Sequence, residues 1–171
     1  MALSLQCITV DAHDPLALAQ FWAEALGWKI GEGVNDIEVW IERELGDPNK
    51  TGFPDILFLK VPDSKVVKNR LHLDLRPDDQ DTEVARLEKL GAKKIDIGQS
   101  TDPDTTWVVM ADIEGNEFCA FPDPEPGDGP PARAFAVCTD SDDPEPLAAW
   151  WADMVGAEVG DGPDGTPRWL H

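Results

Sequence analysis

A long stretch of this sequence occurs twice, and the repetition limits the folds open to the chain more than any other feature. Residues 7–33 align without a gap to residues 136–162, and the two segments are similar but not identical. The copies match at acidic, proline, apolar and glycine positions: Asp11 with Asp140, Asp14 with Asp143, Pro15 with Pro144, Leu18 with Leu147, Trp22 with Trp151, and Gly27 with Gly156. Internal similarity of this kind indicates a fold assembled from repeated units.

Each copy predicts a short strand followed by a helix. In the first copy, alternating Ile8 and Val10 indicate the strand, and Asp14 before Pro15 is typical of a helix N-terminus. The next apolar residues recur at the spacing of one helical face: Leu18, Trp22, Ala25 and Leu26. Gly27 stands where a left-handed residue would end the helix, so the unit begins with strand and helix.

A weaker instance of the same helix lies between the two copies. Asp79 or Asp81 can cap it and Gly91 ends it, so the helix-ending glycines recur at nearly equal intervals. Three strand-like runs follow each of the first two helices: 28–30, 37–41 and 56–61 in the first unit, and 94–97, 106–111 and 117–121 in the second. The fold class predicted is α+β, with two βαβββ modules paired around a cleft.

The domain organisation follows from these units. We expect one domain over residues 1–122, with modules at 3–62 and 69–122, and a stiff Pro/Gly linker at 123–131. Residues 132–171 can hold a strand, a helix and one or two further strands, which predicts an incomplete third module that starts a second domain. Three interpretations remain open: the piece belongs to a longer two-domain protein, docks on the first domain, or completes a sheet in a second chain. We favour the first or the last, and the last predicts a homodimer.

Charge and cysteine usage narrow the partners. The formal net charge of -20 argues against nucleic acid and anionic membranes, whose phosphates would repel the chain. We expect a cytoplasmic protein, because neither a secretion signal nor an apolar run of membrane-spanning length is evident. The cysteines Cys7, Cys119 and Cys138 lack CxxC spacing, which argues against a disulfide framework or a zinc ribbon.

The strand predicted at 70–76 has the clearest chemical character. Two sets of side chains alternate along it: Leu71, Leu73 and Leu75 with His72, Asp74 and Arg76. The leucine face is expected to lie under a helix, so the ionisable face looks into the cleft or into solvent. His72 as general base with Asp74 beside it is the catalytic candidate of this sequence.

Three segments carry a family resemblance: VDAHDPLALAQFWAEALGW at 10–28, LHLDL at 71–75, and DIEGNEFCAF at 112–121. With them the chain resembles the vicinal oxygen chelate superfamily, in its glyoxalase-like and bleomycin-resistance-like branch. The resemblance covers the first 122 residues as one domain of paired modules and the tail as the beginning of a second. The superfamily includes metal-dependent isomerases, lyases and dioxygenases beside metal-free binding proteins, so it predicts the fold and leaves the reaction open.

The resemblance also implies where a divalent metal would be held. Metal-dependent members use four ligands, one each from the first and fourth strands of two modules. In this chain the positions fall on Cys7, on the run 56–61 without a carboxylate, on His72 and on Cys119. Only His72 keeps the family's ligand type. Either no metal binds, or Cys7, His72 and Cys119 form a softer site suited to an ion such as zinc.

Two functions therefore remain open from the sequence. The first is metal-free binding of a small planar or aromatic molecule, with His72 and Arg76 as polar anchors. Aromatic side chains would line the cleft: Trp40, Phe58, Trp107 and Phe121. The second is a lyase, isomerase or dioxygenase of the glyoxalase type, in which a metal polarises adjacent substrate oxygens. Ordinary core packing is the competing explanation for each aromatic residue.

Overall fold

The computed structural model describes residues 2–43, 53–98, 105–123, 131–162 and 165–171. The chain divides into two compact units. The larger is Cys7–Cys138, and the smaller is Thr139–His171 together with the residues that precede Cys7. The division therefore falls after Cys138, and most of the predicted linker 123–131 lies outside the described residues.

The first module has the predicted order of elements. It consists of β1 (Cys7–Ala12), α1 (Pro15–Leu26), β2 (Lys29–Ile30), β3 (Glu38–Glu42) and β4 (Asp55–Lys60). The sheet order is β1-β4-β3-β2, with β1 parallel to β4 and the other pairs antiparallel. The βαβββ pattern predicted for this part of the sequence is confirmed.

The second module repeats this arrangement and gains one strand. It consists of β5 (Leu71–Arg76), α2 (Gln80–Leu90), β6 (Lys93–Lys94), β7 (Val108–Ala111) and β8 (Glu117–Ala120). The sheet order is β6-β7-β8-β5-β9, where β9 (Arg133–Thr139) is the first strand of the third repeat. The edge of β5 is therefore covered by the third repeat.

The third repeat continues with α3 (Pro144–Val155), β10 (Val159–Asp161) and β11 (Pro167–Leu170). The last two strands form an antiparallel pair. The start of α3 at Pro144 and its end before Gly156 match the sequence prediction, and Gly156 has the left-handed φ of 73°. In the described part of the chain, no helix combines the length and the apolar character that crossing a membrane requires.

The two modules share one hydrophobic core on the helix side of their sheets. Trp22 of α1 joins them, because its ring centroid lies 5.1 Å from that of Phe118 on β8. Its indole Nε1 donates a hydrogen bond to Asp112 Oδ2 at 3.1 Å. Side chains alternate along a strand, so the opposite face of each sheet points away from this core.

Two polar clasps also join the modules, one at each end of α1. The carboxylate of Glu114 accepts hydrogen bonds from the backbone N–H groups of His13 and Asp14, at 2.7 and 2.8 Å. Arg86 of α2 donates to the backbone carbonyls of residues 24 and 25, at 3.1 and 2.8 Å. The helix that carries Trp22 is therefore fixed at both ends by the second module.

Candidate functional site

The ionisable face of β5 lies on the side of the second sheet away from the core. Leu73 and Leu75 are buried in the core, so His72, Asp74 and Arg76 project from the opposite face. His72 Nε2 lies 3.5 Å from Asp74 Oδ1, and Asp74 is only 2% exposed. The strand thus presents a row of polar groups that is largely shielded from water.

Three buried atoms in this row have no hydrogen-bond partner among the described residues. They are His72 Nδ1, Asp74 Oδ1 and Arg76 Nε. An unsatisfied buried polar atom costs free energy, and native proteins contain few of them. Three such atoms on consecutive positions of one strand face are typical of a surface that binds something else.

The neighbouring strands bring two thiols to the row. Cys119 of β8 is the register partner of Asp74, and the ligand atoms of His72, Asp74 and Cys119 all lie within 4.8 Å of one another. From the other side, Cys138 of β9 donates a hydrogen bond from Sγ to Asp74 Oδ2 at 2.9 Å. We call His72, Asp74, Cys119 and Cys138 the β5 cluster.

Burial governs the electrostatics of the β5 cluster. Burial raises the pKa of the Asp74 carboxyl above its ordinary value. The hydrogen bond from Cys138, the charge of His72, the contact with Cys119 and the charge of Arg76 oppose this rise in the pKa. Burial therefore disfavours the ionised form of this carboxyl, and a cation at Asp74 Oδ1 would favour the ionised form.

An aromatic wall stands beside the polar row, formed by Trp107, Phe121 and Phe135. The rings of Trp107 and Phe121 are stacked, with centroids 5.4 Å apart and planes at 26°. Phe135 of β9 meets Phe121 edge-on at 5.7 Å. Arg76 Cζ lies 4.0 Å from the Phe135 centroid, a cation–π contact that holds the guanidinium at the wall.

The structure brings together several of the predicted site residues and places three elsewhere. His72, Asp74, Cys119, Arg76, Trp107 and Phe121 share the region around β5. Phe58 is fully buried in the core beneath α1. The indole of Trp40 packs against the backbone at Gly31, next to β2, where an added Cβ on Gly31 would lie 1.8 Å from Trp40 Nε1. Cys7 is exposed on β1 of the other sheet. β1 belongs to the first sheet, and the strand that pairs with the edge of β5 is β9.

Sequence reasoning missed the contribution of β9 to the site. In the repeat alignment, residues 136–141 correspond to β1, but alignment cannot tell which sheet edge a strand joins. Phe135 precedes the repeated segment and gave no signal, and Cys138 gave none as a site residue beyond its position in the repeat. Their role depends on a pairing between segments more than 60 residues apart, as the contact of Cys138 with Asp74 illustrates, with a separation of 64.

A separate groove of about 840 Å³ runs between the modules. Residues of both modules line it, among them Thr9, Asp11, Lys65, Asn69 and Glu114. Its volume falls within the range of small-molecule pockets. The β5 cluster and the aromatic wall do not line this groove, so it is a second place where a ligand could be held.

Comparison with known families identifies the fold. Residues 7–121 match the family described as Glyoxalase-like domain. The chain belongs to this glyoxalase-like family. It is therefore a member of the vicinal oxygen chelate superfamily, as the three sequence motifs predicted. No curated protein sequence matches the chain.

Solved structures with the same fold are distant in sequence. A glyoxalase/bleomycin resistance protein/dioxygenase family enzyme from Burkholderia phytofirmans PsJN is 18% identical, with a TM-score of 0.53 over 70% of this chain and 98% of that one. A glyoxalase-related enzyme from Fulvimarina pelagi is 16% identical, with a TM-score of 0.51 over 78% and 97%. A V278E mutant of glyoxalase I from Zea mays is 17% identical, with a TM-score of 0.64 over 94% of this chain but 59% of that chain. At these identities the likeness concerns the fold alone.

Proposed function

We propose that this glyoxalase-like protein binds a small planar molecule with an acidic oxygen group on the outer face of β5. The observation that carries the proposal is the row of buried, unpartnered polar atoms on His72, Asp74 and Arg76. Arg76 offers a planar fork of donors that suits a carboxylate or a similar group. The adjoining aromatic wall provides the flat apolar surface on which a ring would stack.

The proposed site favours binding of a small molecule without a metal held by the four ligands of the family. A ligand carboxylate at Arg76 would satisfy the buried Nε donor, and it would be stronger than a neutral partner because both groups are charged. Asp74 lies on the same face and would repel a second acidic group close to it. The predicted ligand therefore carries its acidic group at one end, towards Arg76, and an apolar ring along the wall.

Calorimetric titration with a matched ligand pair tests the proposal. A library of aromatic carboxylates is screened for binding, and each hit is compared with its primary amide. Arg76→Gln should weaken the acid by about 10-fold or more, since a charge-assisted bond contributes about 1.5–3 kcal/mol. The same change should affect the amide far less. Arg133→Gln on β9 is the matched control, because Arg133 is half-exposed and pairs with Asp123.

The same titration also tests where on the protein the ligand binds. If Arg76→Gln leaves the affinity for the acid unchanged while Asn69→Ala reduces it, the ligand occupies the groove between the modules and the β5 assignment is wrong. If no compound of the library binds the wild-type protein, the proposed ligand class is wrong.

A second candidate function is metal-dependent lyase, isomerase or dioxygenase chemistry. The cluster of His72, Asp74 and Cys119 within 4.8 Å favours it, because these groups can hold a divalent ion. Such an ion would polarise an oxygen of the bound molecule. Turnover of a bound ligand that requires an added divalent ion and stops in His72→Ala would support this candidate. Binding without turnover under every metal condition would exclude it.

We also propose that the protein self-associates and that it is located in the cytoplasm. We interpret the third repeat as the start of a second domain. In α3, Trp150 is 54% exposed and Trp151 is 37% exposed. Trp22, which corresponds to Trp151 in the first repeat, is only 4% exposed. Exposed aromatic area of this kind favours a protein partner, and we propose a second copy. Sedimentation velocity should detect a dimer that Trp150→Ala weakens. A monomer at every concentration would contradict it.

A further inference from the structure

We propose that the ligand of the β5 face is a free aromatic amino acid, whose carboxylate binds Arg76, whose ammonium group binds Asp74, and whose ring lies on the aromatic wall. The inference rests on the proposed function and deepens it, because it adds a second charged group to the ligand and so names its chemical class. The new element is the cationic amine at Asp74.

The carboxylate of Asp74 keeps one oxygen for the protein and presents the other to a ligand. Cys138 Sγ donates a hydrogen bond to Asp74 Oδ2 at 2.9 Å, and Oδ1 has no hydrogen-bond partner among the described residues. Asp74 is only 2% exposed, so water has little access to that oxygen. A buried carboxylate is stable only when positive charge and hydrogen-bond donors accompany it. The free oxygen therefore selects a ligand group that both donates a hydrogen bond and carries positive charge.

His72 supports an ammonium group at the same place. Its Nε2 atom lies 3.5 Å from Asp74 Oδ1, and its buried Nδ1 atom has no hydrogen-bond partner in the described part of the chain. With the proton on Nε2, towards Asp74, the imidazole is neutral and Nδ1 is an acceptor. An ammonium group carries three donors, so it can bond to Asp74 Oδ1 and still offer a donor to the imidazole.

The spacing on β5 suits an amine and a carboxylate on the same carbon atom. Asp74 and Arg76 project from the same face, and two residues of a strand span roughly 6.6–6.8 Å. Neither Asp74 Oδ1 nor Arg76 Nε has a hydrogen-bond partner among the described residues, so these two atoms do not satisfy each other. Charged hydrogen bonds of about 2.7–2.9 Å from each side leave room between them for a small zwitterionic group. An α-amino acid has such a group, and its two charges balance those of Asp74 and Arg76.

The aromatic wall favours an aromatic side chain on this amino acid. Arg76 Cζ lies 4.0 Å from the centroid of Phe135, which keeps the guanidinium at the wall. Phe135 meets Phe121 edge-on, and Phe121 stacks on Trp107 with planes at 26°. A ligand held by its carboxylate at Arg76 therefore has its side chain beside these rings. Aromatic pairs contribute free energy beyond the apolar area that they bury, so an aromatic side chain is preferred over an aliphatic one of similar size.

Calorimetric titration of the wild-type full chain, with a chelator present to remove metal ions, tests the amine without any variant. The probes are phenylalanine, tyrosine and tryptophan, each beside one analogue without the amine and one whose carboxylate is converted to the primary amide. We expect the best-bound amino acid to bind about 10-fold or more tightly than either of its analogues, since a hydrogen bond to a charged group contributes that much. Leucine, whose side chain is aliphatic, should bind more weakly than the best-bound aromatic amino acid.

Two matched substitutions locate the amine on the protein. Asp74→Asn removes the charge and keeps the shape of the side chain, so it should weaken binding of the amino acid by about 10-fold or more. It should also abolish the preference for the amino acid over the analogue without the amine. The affinity for that analogue should not fall, because the analogue makes no bond to Asp74. Asp11→Asn, at a carboxylate that lines the groove between the modules, is the matched control and should change neither affinity.

The other outcomes separate this inference from the proposed function. If Asp74→Asn leaves the preference for the amino acid unchanged, or if Asp11→Asn removes it, the amine does not bind at Asp74 and the inference is wrong. Equal wild-type affinities for the amino acid and the analogue without the amine would also overturn it. In that case, loss of acid binding in Arg76→Gln would still support the proposed function. If neither kind of compound binds the wild-type protein, both are wrong.

Discussion

At the scale of single residues, two tryptophans in equivalent repeat positions have different surroundings. Trp22 is 4% exposed, touches Phe118 and donates to Asp112, whereas Trp151 is 37% exposed. Burial raises the pKa of Asp112, and the bonds from Asn116, Trp22 and Glu114 oppose that rise. Loss of the indole would therefore remove both ring packing and a donor to a buried carboxyl.

The matched substitutions turn this difference into a prediction. Trp22→Ala should lower the free energy of unfolding by about 3–5 kcal/mol, as large-to-small changes in a core do. Trp151→Ala should lower it by about 1 kcal/mol or less. Urea denaturation of the two variants beside wild type measures both values. Equal losses would mean that the repeat positions carry equal packing, against the structure.

The sequence predicted which residues of β5 face outwards, because alternation is a local property of a strand. It could not predict that Asp74 meets Cys138, since that contact joins residues 64 positions apart. Phe58 is a second residue whose surroundings the sequence could not predict. An aromatic residue in a strand suits a pocket or a core equally, and only the position of α1 places it in the core.

At the scale of elements, the starts of α1 and α3 differ although both have an Asp-Pro sequence. Asp14 Oδ1 accepts a hydrogen bond from Ala17 N at 3.1 Å, whereas Asp143 makes no side-chain cap bond in α3. The corresponding third position of α3 is Pro146, which has no N–H to donate. The repeated cap residue is therefore retained in sequence without its usual bond.

Alanine substitutions should separate the two caps. Asp14→Ala should lower the free energy of unfolding by about 1 kcal/mol, the typical contribution of an N-cap side chain. Asp143→Ala should change it by no more than a few tenths of that value, because no cap bond is lost. Thermal unfolding of both variants is the measurement, and a larger loss in Asp143→Ala would contradict this account.

The start of α2 adds a dependence on pH. Asp79 accepts from Thr82 N at 2.7 Å, and hydrogen bonding with Thr82 lowers the pKa of the Asp79 carboxyl. For an acid whose pKa is lowered by folding, the stabilisation is present above the unfolded pKa of about 3.9. It is lost as the pH falls through the lower folded pKa.

Asp79→Asn isolates this contribution, because asparagine also caps helices but carries no charge. We expect the stability difference between wild type and variant to favour wild type near pH 6 and to shrink steadily below about pH 4. Chemical denaturation at a series of pH values gives the difference directly. A difference that stays constant down to pH 2 would mean that Asp79 does not titrate with folding.

The elements themselves were largely predictable, for reasons that these caps illustrate. Capping residues, helix-ending glycines such as Gly27 and Gly91, and apolar spacing all act within a few residues. Both glycines adopt the left-handed conformation that the sequence indicated, with φ of 66° and 114°. Which strand covers the edge of β5 is not a local choice, so the position of Cys138 beside Asp74 could not be predicted from the sequence.

At the scale of the whole Cys7–Cys138 unit, one core connects the two modules. The core contains Trp22 from the first module and Phe118 from the second, and the clasps of Glu114 and Arg86 fix both ends of α1. Neither module can lose its own packing without exposing apolar surface of the other. The sequence predicted two modules in one domain, but the burial of helices between them follows only from the three-dimensional arrangement.

The shared core predicts that the modules unfold together. In native-state hydrogen exchange, the slowest amides of β4 and β8 should report the same opening free energy, within about 1 kcal/mol. Trp22→Ala should lower both values by the same amount, because its ring belongs to both modules. Arg133→Gln, at an exposed position of β9, should leave both unchanged. If the amides of one module exchanged through a separate opening of much lower free energy, the modules would unfold independently. The face of β5 that points away from the core would then have to be stabilised by the second module and β9 alone.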